Sequence, residues 1–212
     1  MKTVSSLTVL LICFVVGHVL GQEVGNLDPG FEIRRVEAEF VDSPRDDSLR
    51  GKMNTQRRTK WLLVEGAFSW QASTAEDKEV GWLEEIEAVF YVMLETKVSR
   101  EEERTLLKGK VTLLNVGQGK DMKAGMFVSP RALERLFRGR PPSSVLPSIS
   151  AIGMELVRGG KVVAFYSNYR NMPFWEKIDP TTKVVENLLL PRWKTPFANA
   201  AWDYYEEEKI SE

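Results

Sequence analysis

Apolar and polar residues alternate in seven short segments of this 212-residue chain, and this period of two is the feature that most restricts its fold. In residues 61–70, for example, Leu62, Val64 and Phe68 fall on one face of a strand. Residues 82–94 fit a helical face equally well, but their β-branched and aromatic content favours a strand. The segments are residues 31–40, 61–70, 82–94, 105–116, 122–128, 149–157 and 161–167. Since no strands alternate with long helices, the pattern predicts a mainly β fold, an antiparallel β-sandwich of about seven strands.

Turn residues and breaks in the alternation indicate how these strands connect. The apolar phase changes at Arg34 and Arg35, which predicts a β-bulge in the first strand. The sequence Arg-Gly-Gly-Lys at residues 158–161 predicts a tight hairpin between the last two segments. Residues 117–120 predict a turn that joins the fourth and fifth segments as another hairpin, and residues 71–81 a polar turn.

Two short helices are predicted from their start signals. Ser129 followed by Pro130 supplies a hydroxyl N-cap and a proline at the first helical position, and Gly139 marks the end of that helix. Thr195 and Pro196 repeat the same start, which predicts a terminal helix over residues 197–209. The fold class is therefore a sandwich with one short inserted helix and a C-terminal helix or tail.

The first 21 residues have the composition of a secretory signal peptide. Lys2 gives a positive start, residues 4–20 are rich in apolar residues, and Gly21 offers a small residue just before Gln22. An uncleaved membrane anchor is the alternative, but the apolar run is short and interrupted by polar residues. We expect cleavage before Gln22 and export of the mature chain, with no membrane span afterwards.

Cleavage has a chemical consequence, because the one cysteine, Cys13, and the one histidine, His18, leave with the signal peptide. The mature chain then lacks a disulfide, a thiolate nucleophile and an imidazole base. Zinc, haem and copper sites with cysteine or histidine ligands are excluded as well. We expect no cofactor and no metal site, so stability must come from an apolar core.

The charges of the chain argue against two further functions. Lysine and arginine number 29 against 30 acidic residues, whereas a nucleic-acid-binding protein usually has a basic excess. Glu84, Glu85 and Glu87 are close enough in sequence to supply a glycosidase acid and base. However, a strand places Glu85 and Glu87 on its outward face, where charges are expected. We predict no catalytic residue, and a glycoside-active enzyme is kept as a third hypothesis.

Residues 169–212 differ from the rest because they are aromatic, irregular and interrupted by prolines. Trp175, Trp193, Trp202 and Tyr205 are candidate interaction residues, since exposed aromatic rings stack on sugars or anchor protein interfaces. The other interpretation is that these rings are buried against the sandwich. We divide the chain into a signal peptide (1–21), a β-sandwich (22–168) and a C-terminal extension packed on the sandwich (169–212).

Several motifs spread over most of the mature chain carry a family resemblance. They are residues 61–70, Gly81-Trp82-Leu-Glu-Glu-Ile-Glu87, Phe90-Tyr91, Leu107-Lys-Gly109, Phe127-Val-Ser-Pro130, Lys194-Thr-Pro-Phe-Ala198 and Trp202-Asp-Tyr-Tyr205. In these motifs the chain resembles a family of small exported verrucomicrobial proteins that are associated with type IV pilus genes and have an immunoglobulin-like fold.

The resemblance implies a non-enzymatic, pilus-associated (fimbrial) or cell-surface accessory protein with no catalytic residues. Its partners would be proteins, either pilus or envelope components or a second copy of the chain. The resemblance also implies secretion across the inner membrane, to the periplasm, the outer membrane surface or the extracellular medium. The alternative is a carbohydrate-binding module that uses the C-terminal aromatic residues to hold a glycan. Solvent exposure of the tail tryptophans distinguishes these two hypotheses.

Overall fold

The computed structural model of the protein describes residues 25–44, 60–98, 101–139, 148–170, 172–200 and 204–210. The predicted signal peptide therefore lies outside the described residues. The strands are β1 (Gly25–Asn26), β2 (Phe31–Asp42), β3 (Lys60–Trp70), β4 (Trp82–Val98), β5 (Glu101–Gly117), β6 (Gly119–Val128), β7 (Ile149–Arg158), β8 (Lys161–Ser167), β9 (Lys183–Glu186), β10 (Leu189–Pro191) and β11 (Glu207–Glu208). The helices are α1 (Ala75–Val80), α2 (Pro130–Leu136) and a 3-10 turn at Arg192–Lys194.

The described strands form two sheets. The first sheet, sheet A, has the order β1-β8-β7-β4-β5, and both β9 and β11 pair with the far edge of β5. The second, sheet B, has the order β10-β6-β3-β2. The neighbouring strands are antiparallel except β9, which runs parallel to β5. The predicted mainly β sandwich is confirmed, and β1, β9, β10 and β11 are short additions to the seven predicted strands.

The core lies between the inner faces of the two sheets. It includes Phe68 and Trp70 of β3 and Phe90 of β4, none more than 1% exposed. Gly66 of β3 lies directly opposite Met154 of β7, and a Cβ atom at residue 66 would overlap the Met154 sulfur. The absence of a side chain at Gly66 therefore lets the sheets approach closely at this point.

Replacing Gly66 with alanine is expected to lower the free energy of unfolding by about 1–3 kcal/mol, because it overpacks the core. Met154→Ala alone should cost about 2–5 kcal/mol, since it leaves a cavity. The new methyl group and the lost thioether occupy the same space, so the double variant should cost less than the sum by about 0.5–3 kcal/mol. Urea denaturation of the four proteins measures this coupling, and strictly additive effects would contradict the packing described.

Three local predictions agree with the structure. The pairing of β2 with β3 shifts register between Ile33 and Arg35, which is the predicted bulge. The Ser129 hydroxyl accepts a hydrogen bond from the Ala132 amide at 3.2 Å and caps α2. Gly159 and Gly160 both have positive φ in the turn between β7 and β8, as a tight hairpin requires.

Three other predictions were wrong. The polar turn at residues 71–81 contains α1, which is capped by Thr74 and ends at Gly81 with a φ of 83°. Strands β5 and β6 do not form a hairpin, because the chain passes from sheet A to sheet B at residue 118 and each strand pairs elsewhere. The described part of residues 197–209 is a series of turns followed by β11, not a helix. There the Phe197 amide donates to the Thr195 hydroxyl in a local turn, and β11 pairs with β5.

Candidate functional site

The C-terminal segment passes over both sheets. Residues 174–178 pack on the outer face of sheet A, where Trp175, Phe174 and Ile178 join a second apolar cluster with Tyr91. The chain then adds β9 to β5 and β10 to β6. Phe197 joins a third cluster on the outer face of sheet B, and β11 returns to β5. One segment therefore pairs with an edge of each sheet and covers part of each outer face.

Trp175 is the most firmly held ring of this segment. It is 8% exposed and stacks on Tyr91, with ring centroids 4.3 Å apart and planes inclined by 2°. Its indole Nε1 donates to Glu155 Oε1 at 2.7 Å, and the Tyr91 hydroxyl donates to Glu155 Oε2 at 2.8 Å. A single carboxylate thus fixes both stacked rings.

The backbone beneath Trp175 has room for the ring because residue 153 is glycine. A Cβ atom at Gly153 would overlap the six-membered ring of Trp175. Burial raises the pKa of the Tyr91 hydroxyl, and its hydrogen bond to Glu155 raises it further. Tyr91 therefore remains a hydrogen-bond donor at neutral pH, and the arrangement of Trp175, Tyr91 and Glu155 is stable packing.

The other three sequence-predicted residues lie in different surroundings. Trp193 is partly buried, and the Lys194 ammonium group lies 4.6 Å from its ring centroid. Trp202 lies outside the described residues. Tyr205 is partly buried, and a Cβ atom at Gly125 of β6 would come within 3.0 Å of its Cε1. The structure does not bring Trp175 together with Tyr205, because Trp175 packs on sheet A and Tyr205 on sheet B.

Glu65 on the outer face of β3 binds the end of the segment. Its carboxylate accepts from the Tyr205 hydroxyl at 2.9 Å and from the Tyr204 hydroxyl at 3.3 Å. Lys123 of β6 lies 3.9 Å from the same carboxylate and 3.4 Å from the centroid of the Tyr204 ring. Burial and the bond to Glu65 raise the pKa of Tyr205, so it also remains a donor.

The three candidate glutamates of β4 do not converge. Glu84 is exposed, Glu87 pairs with Lys110 at 2.7 Å, and Glu85 pairs with Lys209. These are cross-strand and strand-to-tail ion pairs on the outer surface of sheet A. In the described ranges no three histidine, cysteine, aspartate or glutamate side chains come together as ligands for a metal ion.

The exposed ring that sequence reasoning missed is Trp82. Of the tryptophans whose side chains the structure describes, it alone is exposed, at 54%, and Val80 beside it is exposed at 41%. Val80 is the last residue of α1, and Trp82 is the first residue of β4. Helix α1 is held to β7 by Asp77, which pairs through both carboxylate oxygens with Arg158 at 2.5 and 3.1 Å. This pairing lowers the pKa of Asp77. The one sequence signal for the exposed position of Trp82 was Gly81, because a glycine there can end a helix just before the strand begins.

The fold and these contacts define a class: a two-sheet β-sandwich whose outer faces are covered in part by its own C-terminal segment. A protein-family model matches residues 27–212, and the chain belongs to that family. Among solved structures it is similar to a crystal structure from Akkermansia muciniphila, a verrucomicrobe, with a TM-score of 0.66 and 23% identity. That match covers 87% of this chain and 97% of the other, and it is a similarity of fold. A search of curated proteins finds no match.

No helix in the part of the chain that the structure describes has the length and apolar character needed to cross a membrane.

Proposed function

We propose that the protein is a non-enzymatic, exported structural or interaction protein, accessory to a type IV pilus or to another cell-surface assembly. The observation that carries this proposal is that aromatic rings of the C-terminal segment pack against the sandwich. Trp175 is buried on Tyr91, and Phe197 stacks on Phe127 with centroids 4.6 Å apart. Rings committed to the protein's own surface stabilise a compact module. Its function is then to present a rigid outer surface.

Two further observations support the proposal. The family match begins at residue 27, shortly after the expected cleavage before Gln22, which agrees with an N-terminal signal peptide that is not part of the folded domain. The fold match is to a protein from a verrucomicrobe, which agrees with the resemblance to exported verrucomicrobial proteins. The ion pairs of Glu85 and Glu87 favour a structural role for both carboxylates over a catalytic one.

A glycan-binding function remains the second candidate, and one observation favours it. Trp82 offers an exposed indole of the kind that stacks on sugars. The tail rings are less suited to this, because Lys194 lies over Trp193 and Lys123 over Tyr204. A glycan site is therefore better placed at Trp82 than on the C-terminal extension.

Fractionation of cells that carry the native gene tests the main proposal. Pili sheared from these cells are expected to contain the protein, and its intact mass should correspond to a chain that begins at Gln22. Trp82→Ala should reduce its retention on pili if the exposed indole contacts a pilus component. Tyr169→Ala removes another exposed ring, at 45% exposure, from a different part of the surface and serves as the matched control.

The outcomes separate the hypotheses. Protein recovered with residues 1–21 still attached would contradict export with cleavage. A processed protein absent from sheared pili would contradict the pilus association. Binding of the purified protein to immobilised glycans that is lost on Trp82→Ala would favour the carbohydrate-binding alternative.

A further inference from the structure

The last part of the chain contains a buried ion pair with poor geometry. We call the described residues 192–200 and 204–210 the strap. Within it, the side chains of Arg192 and Glu208 are 9% and 4% exposed, and Arg192 Nε lies 3.7 Å from Glu208 Oε1. That separation exceeds hydrogen-bond length, and among the described residues Arg192 Nε has no hydrogen-bond partner. Two charges have thus been desolvated for a weak mutual contact.

Arg192 and Glu208 each have further partners within the strap. The Arg192 guanidinium donates to the Ala200 carbonyl at 3.2 Å and lies 5.3 Å from the centroid of the Tyr205 ring. Glu208 accepts a long hydrogen bond from the Trp193 amide at 3.3 Å, and the Arg192 amide also bonds to its carboxylate. Burial raises the pKa of Glu208, although the Trp193 amide and Arg192 oppose the change. Docking of the strap therefore disfavours the ionised form of this carboxyl.

Glu206, two residues before Glu208 and on the same face of the extended chain, adds to the same effect. Its backbone amide donates to the Lys123 carbonyl at 3.2 Å, and burial of its side chain raises its pKa. Other described charged groups near β11 have partners of their own: Lys123 contacts Glu65, Glu207 contacts Asn115, Lys209 contacts Glu85, and Lys194 lies over the Trp193 ring. Glu206 and Glu208 point inward, while Glu207 between them is exposed.

We propose that the strap is a pH-dependent clasp, which docks more tightly as the pH falls and loosens as the pH rises. In the undocked strap, both carboxyl groups return to their ordinary pKa near 4.5. The docked state thus binds more protons than the undocked state at pH values between 4.5 and the raised values. Lowering the pH through this window stabilises docking, and raising it through the same window removes that stabilisation.

Loosening of the clasp would expose a specific surface. The main-chain groups of β5 at Leu113 and Leu114 lose β11, and the apolar cluster of Trp61, Leu63 and Phe127 loses Phe197. The freed main-chain groups of β5 are suited to pairing with another protein strand. The clasp would therefore control access to this strand edge. This behaviour depends on the strap residues alone and goes beyond the proposed surface role.

Hydrogen exchange measured by mass spectrometry tests the clasp on the purified protein. Peptides covering residues 204–210 are compared between about pH 8 and about pH 5, corrected for intrinsic exchange, with peptides from the centre of β4 as reference. Protection of the strap amides should rise several-fold toward the lower pH relative to β4. Glu208→Gln should remove most of this dependence, and Glu206→Gln should remove part of it.

Glu207→Gln is the matched control, because its side chain is exposed and bonds only to Asn115 among the contacts described. It should leave the pH profile unchanged. The proposal is overturned if the wild-type strap shows no pH dependence or the opposite one. It is also overturned if Glu207→Gln flattens the profile as much as Glu208→Gln. If Glu208→Gln does not fold, Glu206→Gln decides the matter. A pH profile in Glu206→Gln equal to that of the wild-type protein then overturns the proposal.

Discussion

Replacing Trp175 with alanine is expected to lower the free energy of unfolding by about 3–5 kcal/mol. The substitution removes the ring stacked on Tyr91 and leaves Glu155 without one of its two side-chain donors. It also opens a void above Gly153 on the outer face of sheet A. Trp175→Phe should cost less, because it retains an aromatic ring and loses the indole hydrogen bond. Urea denaturation followed by far-ultraviolet circular dichroism measures both variants.

Trp82→Ala is the matched control, because the same side chain is removed from an exposed position. Its effect should stay within about 0.5 kcal/mol, as for most surface substitutions. Equal destabilisation by Trp82→Ala and Trp175→Ala would show that the stack on Tyr91 makes no special contribution. A stable Trp175→Ala variant would return that ring to the list of ligand-binding candidates.

Deleting residues 193–212 is expected to cause a large fall in the melting temperature. The deletion removes Phe197 from Trp61 and Phe127, Tyr205 from its place against Gly125, and β11 from β5. Each buried aromatic ring contributes about 1.5–3 kcal/mol, and each kcal/mol lost corresponds to about 2–4 °C in a domain of this size. Differential scanning calorimetry of the full and truncated proteins measures the change.

Dye binding supplies the companion measurement for the truncation. A hydrophobic dye such as ANS should bind the truncated protein more strongly, because the apolar cluster of Trp61, Leu63 and Phe127 is uncovered. If the truncated protein melts like the full one and binds no more dye, the segment has no stabilising role. The tail would then be the leading candidate for a binding site.

The sequence was most informative where a local signal alone determines a local structure. A change of apolar phase at Arg34 and Arg35 can be accommodated only by an extra residue, so the bulge was predictable. The two glycines of residues 159–160 were equally clear, because both adopt positive φ. The helix that Ser129 caps followed from the same kind of local chemistry.

Sheet membership and short helices could not be predicted in this way. The alternation in residues 122–128 has the same form whether β6 pairs with β5 or, as observed, with β3 and β10. Helix α1 has six residues and little apolar periodicity, and its position depends on the distant pair of Asp77 and Arg158. The C-terminal helix failed because main-chain groups near residue 207 bond to β5 instead of to each other.

The candidate site shows the same limit. Composition identified the tail aromatics as candidate interaction residues, but whether each ring is buried depends on partners far away in the chain. Trp175 is buried because Tyr91, Gly153 and Glu155 lie in one place on sheet A. Trp82 begins a strand rich in buried residues, yet it lies at the end of that strand and remains exposed.

The contacts of the strap also imply an order of folding. The Tyr205 hydroxyl reaches Glu65 across 140 positions of sequence, and Lys209 reaches Glu85 across 124. Closing such long loops costs entropy before any contact compensates, so the strap docks after the sandwich has formed. In a chain made from its N-terminus, every docking position of the strap is also synthesised before the strap itself. The newly made protein therefore passes through an interval in which the β5 edge at Leu113 and Leu114 lacks β11, and that interval is when a chaperone or a neighbouring chain can pair with it.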